Sequence, residues 1–289
     1  MVEPWAHHDS RAITPEASTD EQLLRLWLHG RPATTSNAYA ADAERFRAFV
    51  GKPLRSVTLG DVQAFSDSLT GLAPATIARR LNVVKSLRSY GYSLGYLPFN
   101  VGRAIKPPKL SSVRAERILA EAAVHRLFAL ESNPRNHALL RLLYAAGLRV
   151  SELAGLRWAD LQERGEAGQV TVYGKGGKTR AVLLQPPTWR ELVELRVDAG
   201  QDAPVFRSRN GGHLTARQLE RIVLASARRA GLEGAVSPHW LRHAHASHAL
   251  DRGAPIHLVQ ATLGHASVAT TGKYLHARPT ESSSKYLAI

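Results

Sequence analysis

Between Asn100 and Arg117 the chain reads NVGRAIKPPKLSSVRAER, and this stretch divides the text on either side of it. It carries a proline pair, little apolar periodicity and five basic residues against one acidic, so it predicts an extended linker and not a packed element. A chain of 289 residues is long enough for two domains of ordinary size. The break therefore predicts a tail over 1–18, a helical module over 19–100, a basic linker over 101–117, a second module over 118–278 and a tail over 279–289.

The first module reads as all α. Asp20 is placed to cap the helix EQLLRLWLHG, and Thr34 or Thr35 to cap a second helix in which Tyr39, Ala43, Phe46 and Val50 recur at helical spacing until Gly51 and Pro53 stop it. Further helices fit Leu59 to Leu69 and Ala75 to Leu94. In the second module, helices are expected over Glu121 to Leu130, Arg135 to Ala146 and Ser151 to Arg157, with Gly147 as the left-handed residue ending the middle one. Helices resume near Pro187, Ala216, Pro238, Pro255 and Ser267. The clear β signal is QVTVYGKGGKTRAVLL, where alternating valines and leucines flank a glycine-rich turn. The predicted fold class is thus mainly α with a small β-hairpin or sheet.

Composition narrows the function. The absence of cysteine excludes disulfides, thiolate metal sites and a Cys nucleophile. No apolar run approaches the roughly 18 residues of a membrane span, and the N-terminus lacks the apolar core of a signal peptide, so a soluble, cytoplasmic protein is expected. A net charge of +14 favours a polyanionic partner, because Lys and Arg release counterions when they neutralise phosphates.

Near the C-terminus, HWLRH supplies His239 and Arg242, LGH supplies His265, and KY supplies Tyr274 nine residues later. Ser237-Pro238 is helix-start grammar, which puts His239 and Arg242 in a first turn where the helix dipole and unpaired N–H groups suit an anion. Each member alone also reads blandly: His239 and Arg242 as a surface pair, Tyr274 as core packing. The histidines 239, 243, 245 and 248 could be read as a zinc site, but the glutamate of an HExxH motif is missing.

Two further segments complete a pattern. GLRVSEL supplies Arg149 and Glu152, and GKGGK in the hairpin supplies Lys175. In this order and spacing the chain resembles the tyrosine recombinases, the phage integrase and Xer-type family of site-specific DNA recombinases. The match is strong over 118–278; the first module resembles the family's core-binding domain in size, helicity and position. The resemblance implies a core-binding domain and a mixed α/β catalytic domain closing on duplex DNA, without metal, ATP or other cofactor. It implies four protomers on two sites exchanging strands through a Holliday junction, and a C-terminal tail that docks on a neighbour, with Leu287 and Ile289 as anchors.

It also implies roles. Arg149 and Arg242, always charged and forked, fit the extra negative charge of a five-coordinate phosphorus, and His265 donates to the same phosphate. Tyr274 attacks; His239 accepts its proton; Lys175 protonates the departing 5′ oxygen. Glu152 orients Arg149 or a histidine, or is simply a helix-start carboxylate. Phosphate contacts expected from charge are Arg79, Arg80, Lys85, Arg88, Lys106 and Lys109. Tyr286 is a competing nucleophile in a serine-rich tail. The alternatives are a DNA-relaxing enzyme of the type IB topoisomerase kind and a non-catalytic DNA-binding regulator on the same fold.

Overall fold

The computed structural model describes residues 17–108, 118–174, 179–265 and 268–272, and the chain divides into two units, Met1–Ser111 and Ser112–Ile289. The first contains helices α1 (Asp20–Leu28), α2 (Ala33–Val50), α3 (Leu59–Ser68) and α4 (Pro74–Ser93). Their apolar faces bury Leu23, Trp27, Phe46, Phe65, Leu81, Val84 and Leu87 in one core. Helix α2 stops at Gly51 in the left-handed conformation.

Details at the edges differ from the sequence expectations, each for a local reason. Thr19, not Asp20, caps α1, its hydroxyl accepting from the Gln22 amide. The Asp20 carboxylate instead accepts from the Leu54 amide at 2.9 Å and the Tyr96 hydroxyl at 2.6 Å, tying α1 to distant parts of the module. Neither Thr34 nor Thr35 caps α2, which starts one residue after Pro32. Packing begins at Ala17, which is fully buried, so the expected tail over 1–18 is shorter; residues 1–16 lie outside the described part. The expected linker also starts too early. Val101–Ala104 is a 3₁₀ turn, and Gly102 and Ile105 are buried on the module.

Arg88 corrects a functional expectation. It faces the core at the i, i+4 and i, i+1 positions from Val84 and Leu87, and is 1% exposed. Its guanidinium donates to the carbonyls of Leu54 at 2.7 Å, Phe99 at 3.2 Å and Val57 at 3.4 Å. In this structure its guanidinium is turned to its own module and not outward.

The second unit comprises α5 (Glu121–Ala129), α6 (Pro134–Ala145), α7 (Val150–Ala154), a three-stranded sheet, α8 (Pro186–Glu194), α9 (Ala216–Arg229), α10 (Pro238–Asp251), α11 (Ile256–Leu263) and α12 (Val268–Gly272). The sheet runs β1 (Leu161–Arg164), β2 (Ala167–Tyr173), β3 (Thr179–Leu184), antiparallel throughout. Strand β1 was not expected, because LQER buries only Leu161 and shows no alternation of its own. Val170 pairs with Val182 and Val172 with Arg180, so Arg180, Val182 and Leu184 form the inward row of β3. Val182 and Leu184 of that row pack into a core with Leu139, Leu143, Leu153, Trp158, Leu219 and Leu241. No helix among the described residues is long and apolar enough to cross a membrane.

Candidate active site

The site is built around the C-terminal end of α11. A helix end leaves carbonyls without intrahelical partners, and buried ones must be satisfied from elsewhere. Here the accounting closes residue by residue. Gly264 adopts the left-handed conformation (φ 64°). The His265 amide then returns to the Gln260 carbonyl and the Gly264 amide to Ala261, a Schellman closure. The next three carbonyls go to three arginines from three different elements. Arg180 Nε donates to Thr262 at 2.7 Å, Arg242 Nη2 to Leu263 at 2.6 Å, and Arg149 Nη2 to Gly264 at 3.3 Å. Cations at the negative end of a helix are also favoured by its dipole.

Arg242 lies on the inner side of α10 and is 2% exposed. Besides Leu263 it donates through Nη1 to the carbonyl of Gly147, which follows α6. One guanidinium thus joins the segment before Arg149 to the segment before His265. Gly147 has φ 57°, and a Cβ there would lie 2.6 Å from the Leu263 side chain, so both backbone shape and close approach require glycine.

Arg149 is the N-cap residue of α7 and remains 41% exposed. Glu152, one turn on, is 5% exposed; its Oε2 accepts from the Arg149 backbone amide at 2.8 Å and its Oε1 from Arg149 Nη1 at 2.8 Å. Both alternatives for Glu152 are therefore present at once: a helix-start carboxylate that also holds Arg149. Burial alone would raise its carboxyl, but hydrogen bonds from Arg180 and from the Arg149 amide and guanidinium hold it down at about 2.

His265 leaves the Schellman turn with its carbonyl held by Gln260 Nε2 at 3.0 Å and its Nδ1 at 2.9 Å from the hydroxyl of Thr271, a fully buried residue of α12. His239 is exposed in the first turn of α10, its ring edge-on to His243 with centroids 4.2 Å apart. The other histidines of this helix turn to Tyr144: His245 Nδ1 meets its carbonyl at 2.8 Å and His248 Nδ1 its hydroxyl at 2.9 Å. Burial lowers the His245 imidazole and raises the Tyr144 phenol. Among the described residues no three His, Asp or Glu side chains converge as metal ligands.

The structure thus brings Arg149, Glu152, Arg242 and His265 to one helix end, with His239 on the same α10 as Arg242. Lys175 and Tyr274 lie outside the described residues. Three members were missed in the sequence: Arg180, Thr271 and Gln260. Arg180 was detectable, since strand alternation puts it on the inward face with Val182 and Leu184, where a charge needs a partner.

A model of the phage integrase family matches residues 114–281, more than half of the chain. The chain belongs to the phage integrase family. Tyrosine recombinase XerC of Thermodesulfovibrio yellowstonii is 33% identical over 266 residues, covering 86% of this chain and 87% of the relative. Tyrosine recombinase XerD of Corynebacterium glutamicum is 30% identical over 284 residues, covering 88% and 93%. The protein is a tyrosine recombinase. Solved structures with this fold include a XerH recombinase bound to difH substrate before cleavage, at TM-score 0.72 and 23% identity over 90% of this chain and 82% of that one. Another is a lambda integrase dimer bound to a COC′ core site, at TM-score 0.75 and 18% identity over 91% and 95%.

Of the recombinase's expected phosphate contacts in the first unit, Lys106 is exposed and Lys85 half-buried. Arg79 and Arg80 flank the buried Asp42 carboxylate, Arg80 at 3.8 Å, and Lys109 lies outside the described residues.

Proposed function

We propose that this tyrosine recombinase exchanges strands at specific DNA sites through two transesterifications, with Tyr274 as nucleophile and a 3′-phosphotyrosine as intermediate. The observation that carries the reading is the convergence of Arg149, Arg242 and His265 on the end of α11, where the two arginines are held by the Gly264 and Leu263 carbonyls and the histidine by the Thr271 hydroxyl. In the first step the Tyr274 oxygen bonds to phosphorus and the bond to the 5′ oxygen breaks. The tyrosine proton passes to His239, and the 5′ oxygen takes a proton from Lys175. The two arginines and His265 oppose charge on the non-bridging oxygens as phosphorus becomes five-coordinate. The phosphoester bond is conserved, so attack by a 5′ hydroxyl from the partner duplex reverses the chemistry without ATP. Glu152 holds Arg149 and does not touch DNA.

The partner is duplex DNA in the cytoplasm, bound by the recombinase as a tetramer spanning two sites, with a Holliday junction between the first and second strand exchange. The XerH, lambda integrase dimer and lambda integrase tetramer complexes, the last on a Holliday junction, support that assembly. Arg79, Arg80, Lys85, Lys106 and Lys109 are proposed to meet phosphates, and Leu287 and Ile289 of the tail to dock on a neighbouring protomer. Truncation after Arg278 is expected to weaken tetramer assembly on DNA; unchanged assembly and recombination would remove the tail from the account.

The test starts from genomic fragments trapped as covalent adducts, which locate the cleavage site. Two copies of that site on one plasmid are expected to recombine in EDTA without nucleotide. Relaxation of one-site plasmids with no recombination of two-site plasmids would replace this reading with a topoisomerase.

A further inference from the structure

We propose that Arg180 is a positioning residue of the strand-transfer site: by engaging both oxygens of the buried Glu152 carboxylate, it lets Glu152 orient Arg149 without cancelling the charge that Arg149 presents to a phosphate. The inference rests on the reading of Arg149 as a phosphate ligand.

The bonding around Glu152 is unequal. Arg180 donates Nη1 to Oε1 at 2.9 Å and Nη2 to Oε2 at 2.8 Å, the parallel fork that gives the strongest carboxylate pairing. Arg149 gives the carboxylate one side-chain bond, from Nη1, besides its backbone amide. Exposure follows the same order: Arg180 is 11% exposed and Arg149 is 41%. The remaining directed donor of Arg180, Nε, is on the Thr262 carbonyl. Arg180 therefore turns these three donors to protein, and it acts on substrate only through Glu152 and α11.

Charge explains why two cations surround one carboxylate. A buried Glu152 paired with Arg149 alone would be a neutral pair, whose field a few ångströms away is that of a dipole. With Arg180 included the trio carries one net positive charge, and the more exposed guanidinium is the one facing outward. Only arginine meets the geometry, because a lysine supplies a single point contact and no parallel fork. The placement is enforced by β3, where Arg180 continues the inward row of Val182 and Leu184 opposite Val172. Its stem also backs the turn into His265: a Cβ added at Gly264 would sit 3.2 Å from Arg180 Cδ. One side chain thereby connects the hairpin that carries Lys175 in sequence to α7 and to the end of α11.

The experiment measures single-turnover cleavage of a nicked duplex bearing the mapped site, together with duplex affinity, for the full-length wild type, Arg180→Met, Glu152→Gln and the double variant. Wild-type adduct formation through Tyr274 tests the functional reading itself, so its absence is distinguishable from failure of the present inference. Arg180→Met is expected to slow cleavage about 30- to 300-fold, somewhat less than the about 100- to 1,000-fold seen when a donor that touches the reacting group is lost. Its duplex affinity is expected to change less than about threefold, well below the about tenfold that 1.4 kcal/mol represents. Adding Glu152→Gln removes the uncompensated carboxylate and is expected to recover at least about fivefold, a coupling of the kind contacting residues show. A second readout uses a methylphosphonate at the scissile position, which takes away the charge Arg149 would oppose. The Arg180→Met deficit is expected to shrink on that substrate. A double variant as slow as Arg180→Met, or an equal deficit on both substrates, overturns the proposal. Where Arg180→Met does not fold, Arg180→Lys replaces it, keeping the charge and losing the fork: a cleavage deficit above about threefold that shrinks on the methylphosphonate supports the proposal, and cleavage within about threefold of wild type, or an equal deficit on both substrates, overturns it.

Discussion

Each unit of the chain has a buried carboxylate set among two or more arginines, and the two arrangements leave the arginines in different conditions. In the first unit Asp42, 2% exposed, meets Arg45 at 2.9 Å, Arg79, and Arg80 at 3.8 Å, each through a single contact. Arg45 and Arg79 stay about half exposed, at 49% and 47%. In the second unit Glu152 is gripped by the fork of Arg180 and touched once by the side chain of Arg149. The first cluster leaves two cations in excess, loosely placed on α2 and α4, which suits attraction to a phosphate backbone whose exact position is not prescribed. The second leaves one cation in excess, held by carbonyls and a carboxylate, which suits charge that develops at a single atom during reaction. Affinity and rate should therefore separate between the two clusters.

The largest effect is expected from the second cluster. Arg149→Ala should lower single-turnover cleavage by about 100- to 1,000-fold, the usual result of removing one transition-state donor, with duplex affinity changed by less than about fivefold. Equal losses of affinity and rate would make the two clusters alike and sink the contrast.

Stability against pH comes next. The folded Glu152 carboxyl titrates at about 2, below its ordinary 4.5. Its contribution, on the order of 3 kcal/mol, is therefore fully present above about pH 4.5 and is lost as pH falls toward 2. Arg180→Met takes away the fork, raises that carboxyl and leaves a buried charge poorly paired at neutral pH. The Tm gap between wild type and Arg180→Met is expected to be widest above about pH 4.5 and to narrow as pH falls from there toward 2; a gap that widens on acidification contradicts the assignment.

Smaller shifts should mark the first cluster. Arg79→Ala and Lys106→Ala are each expected to reduce the slope of log affinity against log salt by about one, with cleavage by bound enzyme unchanged. Arg88→Met should leave that slope alone and lower Tm, since its guanidinium holds the Leu54 and Phe99 carbonyls. A slope change in Arg88→Met would return it to the DNA-contact set.

The smallest predicted effect is at Thr271, whose hydroxyl lies 2.9 Å from His265 Nδ1. With that hydroxyl donating, the ring proton sits on Nε2, ready to donate to phosphate. Thr271→Val is expected to slow cleavage about three- to tenfold, the scale of one neutral hydrogen bond, with Thr271→Ser restoring it. Thr271→Ser as slow as Thr271→Val would point to packing instead.

The comparison also shows what the amino-acid sequence displays. Helix faces, the β2–β3 hairpin and the Gly147 and Gly264 stops are local patterns and were legible. The order of Arg149, Glu152, His239, Arg242 and His265 was read from the resemblance to the family's motifs, with helix-start and helix-exit grammar supporting His239, Arg242 and His265. What was hidden is pairing across distance. That Arg180 meets Glu152, 28 residues away, and Thr262, 82 residues away, follows from packing and not from spacing. Arg88 misled for the opposite reason: a basic residue in a basic chain reads as a phosphate contact, although its register with Leu81, Val84 and Gly91 already placed it inward. Strand β1 escaped because three of its four side chains are polar and exposed.

The central claim is that the locked arginines and His265 serve a tyrosine nucleophile at position 274. Its most direct test incubates the full-length protein with a nicked duplex bearing its site, isolates the covalent adduct and identifies the modified peptide by mass spectrometry. The account predicts one nucleotide-linked residue, Tyr274, and no adduct from Tyr274→Phe. An adduct that persists in Tyr274→Phe, or that maps to Tyr286, would contradict it.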